Sequence, residues 1–444
     1  MFPLTRPFRQ AAATAALFVF TVVPTIYVGI TAWSIRQPSH LRDVEAEIGR
    51  RLGVHVSLDS VRYPRPGEVV YRGVVLRQEE PRGKGKAVIE VARASALRLK
   101  RGDRELTLEA EGLKLRGESP RQALAQVGSW LQHSGDSAYD RISLTAAACE
   151  VDLGAGVAPY RLREVVGDLL LEPSAPTLRA SYRLVGEDSA TRCETTLTRD
   201  RKVEPLKTTL SFKTMEGLPL PARVLGPLFD APAWLGDSSR VEGALTMTQQ
   251  GEKDWEAQFS GHLIDIDLAT LVDRRFPEHR LSGKARLTVD SARWAERPGQ
   301  GYGWLDAKGS FAAGPGVMGL GLLQALSTEM KFRKAPRLAR VATAGVVDLD
   351  FRAFAFTFAM TPDGEIRVGG GLTNEYGTDV VVAGPTAPLA FAPEGASHVR
   401  GLIKTLFPVK QINHGVMVPL TEKSRMLLCL PVGPDIASKP IGGN

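Results

Sequence analysis

The stretch Val54-His-Val-Ser-Leu-Asp-Ser-Val61 sets the reading of the whole chain. Val54, Val56 and Leu58 alternate with His55, Ser57 and Asp59. Successive side chains of a strand point to opposite faces, so a period of two marks a half-buried β-strand with one apolar face. The pattern recurs downstream. Leu97 and Leu99 flank Arg98, and Leu106 and Leu108 alternate with Thr107 and Glu109. Further strand runs fall at 69–76, 88–99, 142–153, 160–171, 178–185, 191–198 and 206–212. A turn at Tyr63-Pro-Arg-Pro-Gly67 and a basic loop at 81–86 separate the early runs, and the spacing predicts antiparallel neighbours in a meander. Gly 44 and Pro 29 in 444 residues suit many short strands better than a helical bundle.

The second half repeats the theme. The runs at 241–248 and 255–263 alternate strictly and carry Trp255, Phe259 and Leu263; Leu287 and Val289 close the run at 281–289. The run at 346–360 is apolar on both registers: Val347, Leu349 and Phe351 on one, Phe354, Phe356, Phe358 and Met360 on the other. The change of register predicts a β-bulge near Ala353. Asp363-Gly364 then makes a hairpin turn. Helices are few: 119–131, a helix or packed loop around 224–229, 268–276, 318–330 and an amphipathic helix at 399–407. The fold class read from this is mainly β, an elongated and curved antiparallel sheet with a few short helices.

Upstream of Val54 the period changes to that of a helix. Leu41, Val44, Ile48 and Leu52 share one face, and Gly53 is a stop signal. Before that lies an uncharged stretch from Ala11 to Trp33, long enough to cross a bilayer. Its anchor residues are Ala11, Leu17, Phe18, Phe20, Val22, Val23, Ile26, Tyr27, Val28, Ile30 and Trp33, with Tyr27 and Trp33 at the interface and Pro24 as a tolerated kink. A cleavable signal peptide is the alternative; the apolar run exceeds the usual h-region and Ile30-Thr-Ala32 is a poor cleavage site, which favours a retained anchor. Arg6 and Arg9 precede the span while Arg36, Arg42, Arg50 and Arg51 follow it, so charge leaves orientation open. Four parts result: a cytoplasmic N-terminus and anchor at 1–38, a helix and sheet region at 39–217, a Pro-rich connector at 218–239, and a second sheet region at 240–444.

The sequence carries no recognisable catalytic constellation. The His 7 are scattered, and no metalloprotease, nucleophile-elbow, phosphate-loop or dinucleotide motif occurs. His262, Asp265 and Asp267 could imitate a ligand cluster, but His262 sits between Gly261 and Leu263 on a strand, and a solvated polar face is the better reading. Gly369-Gly-Gly371 lacks the lysine and helix start of a phosphate cradle and reads as a flexible strand exit. Cys149, Cys193 and Cys429 form no metal-ligand spacing; a Cys149–Cys193 bridge stays open in an oxidising compartment. The expectation is a non-enzyme with no cofactor and no metal. The net charge of +7 suits anionic lipid surfaces, and the lack of a dense Lys/Arg block with interleaved aromatics argues against nucleic acid.

The order of parts resembles the AsmA-like family of bacterial envelope proteins, relatives of TamB. The resemblance rests on the span, the helix Leu41-Arg-Asp-Val-Glu-Ala-Glu-Ile-Gly49 leading to Gly53, the strand from Val54, and Val70-Tyr-Arg-Gly-Val-Val-Leu76. Farther on it rests on Ile264-Asp-Ile-Asp-Leu-Ala-Thr-Leu-Val272 and Phe354-Ala-Phe-Thr-Phe-Ala-Met360. It covers both ends and thins out between Pro120 and Asp237. It implies an inner-membrane anchor, a periplasmic domain, and a curved sheet forming a groove that handles phospholipid or another lipid in outer-membrane biogenesis. A structural or assembly protein that binds an envelope partner by its sheet edge is the alternative. The groove candidates are Val54, Val56, Leu58, Leu97, Leu99, Leu106, Leu108, Trp255, Phe259, Leu263, Leu287, Val289, Phe354, Phe356, Phe358 and Met360. About fifteen strands at roughly 4.8 Å each would make a sheet about 70 Å long.

Overall fold

Hydrogen-bonded register, not helix packing, organises this chain. The computed structural model describes residues 14–23, 25–26, 33, 37–79, 88–116, 139–152, 159–185, 192–222, 235–250, 254–273, 276, 278–297, 301–336, 338, 347–372 and 379–406. It is mainly β with a few short helices. Helix α1 (Pro38–Leu52) starts at a proline and ends at Gly53, whose φ of 66° supplies the left-handed cap. Then come β1 (His55–Ser57), β2 (Ser60–Arg65), β3 (Glu68–Glu79), β4 (Val88–Arg101), β5 (Glu105–Glu111) and β6 (Leu113–Arg116). The middle holds β7 (Arg141–Asp152), β8 (Tyr160–Leu170), β9 (Thr177–Leu184), β10 (Cys193–Asp200), β11 (Lys207–Thr214), β12 (Leu220–Pro221) and β13 (Arg240–Gln250). Beyond lie β14 (Asp254–Asp267), β15 (Lys284–Arg297), β16 (Gly301–Ala313), β17 (Gly316–Gly319), α2 (Leu320–Glu329), β18 (Arg333–Lys334), β19 (Asp348–Phe351), β20 (Ala353–Met360), β21 (Glu365–Gly370), β22 (Val380–Ala383), β23 (Pro388–Phe391), β24 (Ser397–His398) and α3 (Val399–Leu406).

Of these, 22 strands join one sheet, and β17 with β19 forms a separate two-stranded one. From β3 onward the order follows the chain: β3 on β4, β4 on β5 and β6, then β7, β8, β9, β10, β11, β13, β14, β15, β16 and β20. The pairing of β11 with β13 carries the sheet past residues 218–239 without a break. The expected meander needs one correction. β5 and β6 pair with β7 in parallel, where a meander would make every neighbour antiparallel. Other expectations shift locally. The turn placed at 63–67 is narrower, since β2 runs through Pro64 as an edge strand. The bulge near Ala353 is a strand change: β19 pairs with β17 outside the main sheet, Arg352 donates its amide to Ala383, and β20 joins β16. The helix expected at 268–276 is a π-helical turn, Ala269–Asp273, whose start Asp267 caps by accepting the amides of Ala269 and Thr270.

Two ends of the sheet are packed. Leu41, Val44 and Ile48 of α1 lie against Leu58, Val69, Tyr71, Val74 and Ala94. At the far end, α2, α3 and the turn after β14 bury a larger core that includes Met318, Leu323, Phe351, Val381 and Val399. A ring cluster joins this core to the sheet, with Phe311 stacked on Phe356 at 5.0 Å and edge-on to Phe354 at 5.1 Å. Buried His279 pins α3, its Nε2 lying 2.6 Å from the carbonyl of Thr405.

The N-terminal span is not shown. Residues 14–23 are helical, with a π-helical turn at Phe18–Val22, and ten helical residues reach about 15 Å against the roughly 30 Å of a hydrocarbon core. Among the described residues no helix is long and apolar enough to cross a membrane. Ala11, Tyr27, Val28 and Ile30 lie outside the described residues, whereas Leu17, Phe18, Phe20, Val23, Ile26 and Trp33 are exposed. The helix expected at 119–131 and that at 224–229 also lie outside the described residues.

The packed far end gives a direct test. Leu323 is fully buried, so Leu323→Ala leaves a cavity and is expected to cost about 2–5 kcal/mol, read as a lowered denaturant midpoint. A loss under about 1 kcal/mol would mean that this core does not exist as described.

Candidate functional site

Residues that pair directly across strands share a face, so the register can be followed from strand to strand. One row reads Leu106, Ile142, Leu169, Leu178, Leu197, Leu210, Met247, Ala257, Trp294. Every member is apolar. Two residues along each strand, a parallel row reads Val69, Leu99, Leu108, Leu144, Gly167, Ala180, Thr195, Phe212, Leu245, Phe259, Ala292, Ala307, Met360, Ile366. Near the other strand ends a third runs Leu220, Val241, Leu263, Leu287, Phe311, Phe356. The row between the first two belongs to the opposite face: Thr107, Ser143, Asp168, Arg179, Thr196, Ser211, Thr246, Gln258, Arg293, Asp306. The sheet is therefore amphipathic along its length, and the apolar rows form a continuous lane.

Continuity requires each strand to keep its phase. Gly73, Gly112 and Glu164 have φ of 61°, 60° and 51°, and mark kinks in β3, between β5 and β6, and in β8. At the kink in β3, Tyr71 and Val74 both reach the same apolar cluster although three residues separate them. The left-handed φ of Gly73 favours glycine, and a Cβ there would also displace the Asp59 carboxylate. In β8 the kink is a bulge between Arg163 and Val166, and Glu164 pays for its strained backbone with ion pairs to Arg183 at 3.1 Å and Arg192 at 3.9 Å.

Cover on the lane is uneven. α1 packs on its first strands and the helical core on its last. Between them no described helix packs on Leu106, Leu108, Ile142, Leu144, Leu169 or Leu178, which are half-buried. Leu197 and Leu245 are buried. Here Gly167, Ala180 and Thr195 replace large side chains, so a shallow trench lies between Leu169, Leu178 and Leu197 on one side and Tyr182 and Cys193 on the other. The Tyr182 hydroxyl lies 3.2 Å from that of Thr195, and burial raises its pKa to about 12. Burial likewise raises the Cys193 thiol to about 12 and, with help from Glu150, the Cys149 thiol to about 11, so both stay protonated and unreactive. Both are free, which corrects the Cys149–Cys193 bridge. β8 and β9 lie between their strands, a separation of about 14 Å where a disulfide needs less than about 7 Å.

The sequence candidates fall into three groups. Val56 and Leu58 lie beneath α1 together with Leu97 and Leu99. Val54 is buried at the helix–strand junction, its amide donating to Gly49. Leu263, Leu287, Phe354, Phe356 and Met360 belong to the packed far end, and Val289 and Phe358 to a cluster beside it. Leu106 and Leu108 reach the open middle, with Phe259 at its border. Trp255 lies on β14 opposite Gln249, and its side chain is outside the described residues. Sequence reading missed Leu144, Leu169, Leu178, Leu210, Phe212 and Met247, although their alternation with polar neighbours carried the signal. Strand β16 was missed altogether, because Gly301, Gly303 and Gly309 dilute its apolar face. At Gly309 a Cβ would strike the Thr288 carbonyl and press on the Phe358 ring.

The polar face carries ion-pair ladders. Arg98 bridges Glu68 and Glu109, Lys100 meets Glu109 at 2.6 Å, and Arg293 meets Glu256 at 2.8 Å. Asp168 accepts from Ser143 and Arg141 at 2.7 Å each; the Ser143 hydroxyl and then the Arg141 guanidinium hold its carboxyl below the usual range. His262 belongs to this face, its Nδ1 3.0 Å from the Thr288 hydroxyl. Asp265 has a φ of 56° at a bulge and Asp267 is a cap, so the three do not converge. Among the described residues no group of three or more His, Cys, Asp and Glu is placed to hold a metal ion. No family model matches the chain, nor does any curated protein or solved structure.

Two measurements check these assignments. A depressed carboxyl pKa contributes stability above the unfolded value near 3.9 that disappears as pH falls through the folded value. Asp168→Asn is therefore expected to cost about 1 kcal/mol at pH 7, and the cost is expected to fade as the pH falls through the depressed folded value, read from denaturation at neutral and strongly acidic pH. A gap that persists in acid would remove the carboxylate from the ladder. Phe356→Asp is expected to lose about 3 kcal/mol or more, since it puts a carboxylate against the stacked Phe311 ring. A melting temperature within a few degrees of wild type would place Phe356 on an open surface instead.

Proposed function

We propose that this chain is a membrane-anchored, non-catalytic lipid-binding protein of the AsmA-like kind, with its sheet in the periplasm. Its apolar lane holds the acyl chains of a phospholipid or similar lipid. The observation that carries this reading is the lane itself: apolar rows in register across the sheet, with a polar, ion-paired reverse face and a small-residue trench where no described helix packs.

An amphipathic sheet of this size needs a cover for its apolar side. Acyl chains supply one at about 0.8 kcal/mol per buried CH₂. The headgroup stays in water beyond the strand ends. No bond is made or broken in such binding, so a catalytic constellation is not required. The exposed apolar side chains Leu17, Phe18, Phe20, Val23 and Ile26 support the proposed anchor, because large apolar groups of this kind favour lipid. The alternative, partner binding by strand addition, has weaker support. β1 has three residues, and β2 carries Arg62, Pro64 and Arg65, which blunt that edge.

The trench provides the test. Ala180→Trp should fill it and lower the phospholipid that co-purifies with the full chain at least fivefold, with the melting temperature kept. Val166→Trp, at a position on the polar face that is already 37% exposed, should leave the lipid content unchanged. Equal lipid in both variants, or none in the wild type, would refute lipid binding in the lane.

A further inference from the structure

Resting on that reading, we infer that the lane is closed at both ends by the chain's own helices, so that lipid enters and leaves sideways over the strand ends. The protein would then be a carrier of bounded capacity and not a through-conduit.

At the first end, α1 lies on the lane. Its Leu41, Val44 and Ile48 pack on the cluster that holds Val69, Tyr71, Leu97 and Leu99, the same side chains that begin the apolar rows. Three further contacts fix the helix there. The Glu45 carboxylate accepts the Leu58 amide at 2.7 Å, His40 Nε2 lies 2.8 Å from the Tyr63 hydroxyl, and the Val54 amide donates to Gly49 at 3.2 Å. An acyl chain sliding along the lane toward β1 would have to displace all of these.

The other end is sealed more deeply. The lane's last residues, Met360 and Ile366, run into the core that contains Met318, Leu323, Val381 and Val399. Ile366 pairs with Ser397, whose buried hydroxyl donates to the Met330 carbonyl at 2.6 Å. α3 follows directly, and at Gly401 it comes so close to the end of α2 that a Cβ would strike the Glu329 carbonyl. No side-chain rotation opens such a contact.

Between the two stoppers the lane is half-buried from β5 to β9, at Leu106, Ile142, Leu169 and Leu178, and no described helix packs on it; at β10 and β13 Leu197 and Leu245 are buried. Three strand spacings of about 4.8 Å give about 15 Å, roughly the length of one acyl chain, so one or two phospholipids side by side are the expected load. The strand ends that carry Leu184 and Cys193 are packed, and the opposite ends, at Leu170 and Thr177, are the way in among the described residues.

The test locks the first stopper shut. In full-length protein with Cys429→Ser, His40→Cys and Tyr63→Cys would be joined by a short cleavable bis-maleimide; the native rings lie 5.9 Å apart, with Tyr63 exposed and His40 half-buried. Exchange of a tail-labelled phospholipid with vesicles of phosphatidylethanolamine and phosphatidylglycerol is then measured before locking, after locking and after cleavage. The bound load is counted by native mass spectrometry. Sideways entry predicts exchange within twofold of the unlocked protein and a load of one or two lipids in every state. A tenfold or greater loss on locking that cleavage restores, or a load well above two, would overturn the closed-end account while leaving lipid binding intact. No bound lipid and no exchange in the unlocked protein would instead defeat the lane as a lipid site.

Discussion

The structure depends on register. Apolar side chains alternate along every strand, but alternation alone builds no lane. The rows become continuous because neighbouring strands pair in phase, so that Leu106, Ile142, Leu169, Leu178, Leu197, Leu210 and Met247 stand side by side over seven strands. A slip of one residue anywhere would put the apolar set of that strand among the arginines and aspartates of the other face. The cross-strand ion pairs of that face, Arg141 with Asp168 and Arg293 with Glu256 among them, lock the same register from behind. Each is worth little singly in water, yet they exclude the slipped pairings.

The kinks follow from the same constraint. A long strand that bends must either lose phase or absorb a residue. Gly73 and Gly112 absorb it where a side chain would clash, and Glu164 does so at a cost offset by two arginines. The close pair Gly243 and Gly261, with φ of 150° and 151°, lets β13 and β14 approach where any Cβ would strike the neighbouring backbone. The helices then have a limited role. They close the two ends, where the apolar rows would otherwise meet water, and the described ones leave the middle of the lane without helical cover.

Much of this was legible in the sequence. The period-two runs marked β4, β5, β7 to β11 and β13 to within two residues, and the period change at Gly53 marked the end of α1; the run at 281–289 stopped eight residues short of the end of β15, and short strands such as β6, β22 and β23 had no run at all. What sequence could not supply was pairing. Alternation gives a strand's faces but not its direction relative to its neighbour, so it could not show that β7 meets β5 in parallel. Phe354, Phe356 and Met360 drew attention because they are large, and large apolar residues sit where the core is packed. The trench is the reverse case: Gly167, Ala180 and Thr195 matter through what they lack, and only register brings them into one row. Strand β16 shows the same blindness, since Gly309 lets the Thr288 backbone and the Phe358 ring come close and leaves a weak pattern behind.

The account's central claim is that lipid lies on the apolar lane between the two packed ends. The most direct measurement is photocrosslinking of the full-length protein with a phospholipid bearing a photoreactive group on its acyl chain, followed by peptide mapping of the adducts. The account predicts labels concentrated on Leu169, Leu178, Ala180 and Leu210, the lane residues of β8, β9 and β11. Labels on Arg179, Ser211 and Gln258 of the opposite face, or labels spread evenly over both, would contradict it.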